Sequence, residues 1–169
     1  MKKEEKIVEN LTTSMRNEQS LDLTKIIERL TSLELRDRDG RTLLINASFY
    51  NRLDIVEWLI YHGAEVNASD KTGNTSLHAA VQEGNVFIMR FLLEHGADVN
   101  SKNVFGNTPL WMAKPMQSKE IFEILLSFGA DPDIKNNYGM SAADCMAAYP
   151  DIIEIFQTKI EDCINNEKD

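Results

Sequence analysis

The chain is poor in the residues on which most site chemistry depends. Its 169 residues hold two cysteines, three histidines and two tryptophans. The cysteines, Cys145 and Cys163, stand 18 residues apart; the plain reading is two reduced thiols, and a disulfide is the alternative. No Cys-x-x-Cys pair, His-Glu-x-x-His, Walker loop or Gly-x-Ser-x-Gly elbow occurs, so the common metal, phosphate and nucleophile signatures are missing. Basic charge is scarce too. Eighteen Lys and Arg face 27 Asp and Glu, a net charge of −9, and nucleic-acid binding, which needs a basic face, is not expected. The opening Met1 to Lys6 is charged and no long apolar run follows it. Neither a secretory signal nor a membrane span is therefore expected, and the expected location is cytoplasmic.

What is present is a period. A hydrophobic content of 43% fits a folded chain of one-domain length. Gly40, Gly73, Gly106 and Gly139 are each 33 residues apart, and so are Gly63, Gly96 and Gly129. Self-similarity at a fixed period marks a stacked repeat. In the most regular copy, Thr75 is placed to cap a first helix carrying Leu77, Ala79, Ala80 and Val81 on one stripe. Gly84 can end that helix in the left-handed conformation. Asn85 is placed to cap a second helix, with Val86, Ile88, Met89, Leu92 and Leu93 inward, and Gly96 closes it. Helices of about ten residues do not hold alone in water. Stacking neighbours must bury their apolar faces.

These residues resemble the ankyrin repeat, whose pattern is Gly-x-Thr-Pro-Leu-His-x-Ala-Ala followed by Leu-Leu-x-x-Gly-Ala-Asp-Val-Asn. The matching stretches are Gly73 to Ala80 with Leu92 to Asn100, Gly106 to Leu110 with Leu125 to Asp131, and Gly40 to Leu44 with Leu59 to Asn67; Gly139 to Ala143 is a weaker copy. The resemblance covers roughly residues 37 to 160. It implies an all-α ankyrin-repeat solenoid of stacked helix-turn-helix units joined by turn or hairpin loops and capped at both ends.

The period divides the chain into a capping helix pair over 1–36, repeats over 37–69, 70–102 and 103–135, and a capping repeat with tail over 136–169. The first segment lacks the motif but keeps its rhythm. Ile7, Val8 and Leu11 form one stripe, and Leu23, Ile26, Ile27 and Leu30 another. Asn51 stands where Gly84 stands one repeat later, and asparagine tolerates the left-handed conformation. Pro115 should stop the first helix of its repeat, with Ser118 capping the second. In the last repeat Asp151 and Glu154 have capping-box spacing, and a helix is expected to reach about Cys163.

No catalytic residue, cofactor or metal ligand is nominated. His62 and His95 share one slot before a glycine, as helix-end residues facing carbonyls. Equivalent side chains of adjacent repeats lie about 8–10 Å apart, too far to share a metal directly. His78 holds the family's Thr-x-x-His position, which the resemblance makes a brace between loops; Ile45, Trp111 and Asp144 replace it elsewhere. Asp37, Asp39, Asp70, Asp98, Asp131 and Asp133 fall at turns, where aspartate bonds its own backbone.

The expected function is a non-catalytic protein–protein interaction module, an adaptor, inhibitor or protective partner that is monomeric when unbound. The resemblance implies that a protein partner binds the concave face formed by turn tips and first helices. Carried onto this chain, that face offers Arg38, Arg41, Lys71, Asn74, Phe105, Asn107, Tyr138 and Met140 from the tips, and Phe49, Tyr50, Trp111 and Met116 from the first helices. Aromatic residues, Met and Arg favour interface cores. Phe105 and Tyr138, each just before a turn glycine, are expected at the centre. Arg36, Arg38, Arg41 and Arg52 cluster in the first repeat, so an acidic end of the partner is expected there. The alternatives are an enzyme or ligand-binding protein with an unrecognised site, and a self-associating structural repeat.

Overall fold

The computed structural model describes residues 3–17, 30, 32–113 and 119–146. Among the described residues are eight helices: α1 (Lys3–Arg16), α2 (Leu43–Phe49), α3 (Leu53–Tyr61), α4 (Ser76–Glu83), α5 (Val86–Glu94), α6 (Pro109–Met112), α7 (Lys119–Ser127) and α8 (Ala142–Met146). The stripe of Leu23, Ile26 and Ile27 lies outside the described residues, as do Pro115, Met116, Ser118 and everything beyond Met146, including Asp151, Glu154 and Cys163.

The helices form two layers. α2, α4, α6 and α8 stack in succession, with α1 against α2. α3 packs on α5, and α3, α5 and α7 each pack on the first helix of their own repeat. One apolar cluster runs the length of the stack, from Val8, Leu11 and Met15 on α1 to Leu125 on α7 and Ala142 on α8. Helices this short persist because these side chains leave water together.

Each first helix begins the same way. Thr42, Thr75 and Thr108 adopt extended backbone, and each side-chain oxygen accepts from the amide three residues on. Pro109 suits the first position of α6, where no amide donor is missed. α6 is one turn long and ends at Met112, ahead of Pro115 as the sequence requires. α4 ends at Gly84 with φ 73° and ψ 23°, and Asn51 takes the equivalent left-handed conformation with φ 55°. The second helices differ from expectation at one point. Asn85 makes no side-chain cap on α5. Its amide donates instead to the carbonyl of Ser48 at 2.8 Å, tying the start of α5 to the end of α2. A cap would satisfy one exposed amide; the observed bond satisfies a carbonyl at a helix end buried in the stack.

Candidate functional site

The turn tips are built from one repeated side chain. Asp37, Asp70, Asn103 and Asn136 stand 33 residues apart. The Oδ1 of each accepts from the amides two and four residues on. This closes the loop around the turn glycine, the backbone bonding that aspartate and asparagine favour at turns. At the exits of the second helices, Asp98 and Asp131 each accept from the amide two residues on.

The remaining atom of the later three, Asp70, Asn103 and Asn136, reaches the preceding tip, whereas Asp37 Oδ2 accepts from Asn46 of its own repeat. Asp70 Oδ2 faces Arg41 Nε at 3.8 Å. Asn103 donates to Asn74 Oδ1 at 3.0 Å, and Asn136 to Asn107 Oδ1 at 2.9 Å. Backbone bonds run beside them from Lys71 to Asp39, Val104 to Thr72 and Asn137 to Phe105, at 2.9–3.1 Å. Lys71 also extends its ammonium to the carbonyl of Arg38. Of the residues expected to meet a partner, Lys71, Asn74 and Asn107 thus hold tip to tip.

The outward groups are different ones. Tyr138 is 75% exposed, Val104 54%, Phe105 47% and Met140 43%. Trp111 is half-buried against the core, with its indole Nε1 enclosed and unpartnered. Phe49 and Tyr50 are half-buried and meet edge to face at 5.1 Å. Arg41 lies over Phe49, and Arg16 donates to the Tyr50 hydroxyl at 2.8 Å. Met116 lies outside the described residues. The tips around Phe105 and Tyr138 therefore form an apolar edge, while the first repeat presents arginines braced by aromatic rings.

His78 spans two repeats. Its Nδ1 accepts from the amide of Thr75 at 3.2 Å, and its Nε2 donates to the carbonyl of Asn107 at 3.2 Å. These partners assign the neutral ring with its proton on Nε2. Burial pushes the pKa down from its ordinary 6.5, opposed by the Asn107 carbonyl and by Asp70 and Asp98. Where Asp144 replaces histidine, it makes a shorter device. The Ser141 amide donates to its carboxylate at 2.9 Å and the Ser141 hydroxyl accepts from its amide at 3.1 Å. The Ser141 bonds hold the Asp144 carboxyl below the usual range.

His62 and His95 face the carbonyls of Trp58 and Phe91 at 2.7 and 2.8 Å and stack on those same rings. Among the described residues no three His, Cys, Asp or Glu side chains form a metal-holding group. None of the described helices is long and apolar enough to cross a membrane.

The sequence reading missed two features. Tyr61 and Phe87, on the second-helix layer, are 70% and 79% exposed; their two helices belong to the buried layer by period, and only the angular position of each residue reveals its exposure. A cavity of about 520 Å³ lies between α1 and the first tip, lined by Glu9, Thr12, Thr13 and Arg16 together with Asp37, Arg38, Asp39, Arg41, Asn46 and Tyr50. The spacing of 9, 12, 13 and 16 puts four residues on one face of a helix, a signal legible once α1 is known to lie beside α2.

The family model for ankyrin repeats in three copies matches residues 11–103, and that for a single ankyrin repeat matches residues 105–137. The match begins inside α1, well before the motif becomes readable at residue 37. No curated protein matches the chain. Ankyrin repeats are in general protein–protein interaction modules. Two matched family models over an all-helical stack with a 33-residue period place the chain in the ankyrin-repeat family.

Proposed function

We propose that this protein is a non-catalytic adaptor or inhibitor that binds another protein through the face made by its turn tips and first helices, centred on Phe105 and Tyr138. The observation carrying this reading is the apolar edge of Val104, Phe105, Tyr138 and Met140, four large side chains left outward on tips whose polar groups are tied to one another. A ring on a tip adds nothing to the repeat's own core. An exposed apolar edge rimmed by polar groups marks an interaction surface.

Removing a central anchor costs about 2 kcal/mol or more in binding, whereas an exposed turn residue changes stability by less than about 0.5 kcal/mol. Phe105→Ala with Tyr138→Ala should abolish capture of the native partner, identified by affinity purification and mass spectrometry, with the melting temperature nearly unchanged. Undiminished capture by the stable double variant would move the binding face elsewhere. A second reading, self-association, draws on Tyr61 and Phe87, whose exposure lies on the other layer. Sedimentation over a range of concentrations separates the two: a dimer lost on Phe87→Ser favours the second.

A further inference from the structure

The cavity between α1 and the first tip carries more information than its volume. Asn46 is 1% exposed and contributes to its wall. The Asn46 amide nitrogen donates to Asp37 Oδ2 at 3.1 Å and to the Thr42 carbonyl at 3.2 Å. Both partners are acceptors, so the orientation of the amide is fixed and Oδ1 is the atom left over. Oδ1 is buried without a hydrogen-bond partner, and so is the hydroxyl of Thr12 on the facing helix. Buried polar atoms are nearly always satisfied, and an unsatisfied one on a cavity wall asks for a donor from a ligand.

The same cavity holds a cation suited to an anion. Arg38 is already bonded to Glu9 at 2.8 Å. Arg41 shares Asp70 at 3.8 Å. Arg16, among the described residues, meets only Tyr50: its Nε and one Nη donate to the neutral hydroxyl, and its guanidinium lies 5.4 Å from the ring centroid. A guanidinium on a hydroxyl retains donors free for a carboxylate, a stronger acceptor that it binds in a two-pronged fashion. The carboxylates of Glu9, Asp37 and Asp39 also line the cavity; Arg38 takes up Glu9, and the first turn and Asn46 take up Asp37. Six of the seven arginines lie within the first 52 residues, and none follows Arg90.

We infer that this cavity is a binding site for an acidic segment of a protein partner, with an Asp or Glu carboxylate on Arg16 and a backbone N–H donating to Asn46 Oδ1. A polypeptide supplies an N–H beside every acidic side chain. A nucleic-acid backbone supplies phosphate with no such donor, and the net charge of −9 repels it. The inference rests on the reading of the chain as a protein-binding module and adds what the partner must carry: an acidic stretch that sits against the first repeat while an apolar one sits on the later tips.

The test uses the full chain labelled with nitrogen-15 and an acetylated, amidated tetraglutamate peptide, followed by the backbone and side-chain amide resonances. The expected result is saturable shifts at the Asn46 side-chain amide, Thr12 and Tyr50, absent with tetraglutamine and weakened at least tenfold by Arg16→Gln. Equal shifts with tetraglutamine would overturn the inference, as would shifts confined to other arginines or shifts produced more strongly by a ten-residue oligothymidine. If Arg16→Gln unfolds the chain, the comparison of the two peptides on the unaltered protein still decides. Phe105→Ala with Tyr138→Ala should leave tetraglutamate binding intact, so failure of the tip surface and failure of this site give separate signatures.

Discussion

At the scale of single residues, His78 shows how a side chain can carry both local and long-range structure. Its neutral ring receives a bond from Thr75 on one side and gives one to Asn107 of the next repeat on the other. A proton on Nδ1 would face the Thr75 amide donor and break the cap. Because burial lowers the folded pKa below 6.5, the unfolded chain takes up the proton at higher pH than the folded one. Stability from this group is complete above about 6.5 and is lost as pH falls from there through the lower folded value. Urea midpoints should therefore drop between pH 7.5 and 5.5, and His78→Gln should remove that part of the drop. At pH 7.5 the variant should be less stable by about 1–3 kcal/mol, the loss expected when a buried hydrogen-bonded group goes. An unchanged pH response in the variant would assign the drop to other groups. The bracing role was legible in the sequence because His78 fills a motif slot. The Ser141–Asp144 box in the equivalent place was not: a histidine replaced by aspartate reads as a loss until the short reach of the carboxylate to the helix amides is seen.

At the scale of elements, the turn tip and the helix end use glycine for different reasons. Gly73 and Gly96 both have positive φ, 77° and 87°. A side chain at Gly96 would meet nothing within 4 Å, whereas a Cβ on Gly73 would come within 2.9 Å of the Val104 amide nitrogen and 3.0 Å of Asn103 Cα. Gly96→Ala should therefore lose only the backbone term, about 1–2 kcal/mol. Gly73→Ala should lose more, because the next tip must also move away. Chemical denaturation of the two variants measures the difference, and equal losses would mean that the tips are not tightly stacked. The period made the glycine positions readable, but not this inequality, which depends on how closely neighbouring tips approach. The link between repeats was similarly hidden. Arg41 with Asp70, Asn74 with Asn103, and Asn107 with Asn136 are 29 residues apart, not 33, because each joins one tip's end to the next tip's start. Arg41, Asn74 and Asn107, marked by position as partner-binding, also make such ties, and Arg16, four turns along an N-terminal helix without a motif, lines the cavity beside the first tip.

For the whole molecule, the stack is close to one-dimensional: each repeat touches only its neighbours, and stability is shared through those contacts. The architecture was legible for that reason, since a period repeated in register constrains many positions together. The outward surface was less so, because large apolar side chains are core on one face and exposed on another, as Ile88 and Phe87 on α5 demonstrate. The same architecture predicts where the fold is hardest to open. α4 has α2 on one side and α6 on the other, α5 packs on both α4 and α3, and His78 fastens this repeat to the next. α1 and α8 each have their main packing, among the described helices, on one first helix. Opening at an end exposes a single contact surface, whereas opening in the middle exposes two, and local opening energies scale with the contacts broken. Native-state hydrogen exchange should find the slowest amides in α4 and α5 and the fastest helical amides in α1 and α8. The tips bearing Phe105 and Tyr138 lie between these regimes, held by backbone bonds to their neighbours and free to present their rings. Slowest exchange in α1 or α8, with α4 opening first, would show that the stack is held from its ends, and the argument from nearest-neighbour packing would fail.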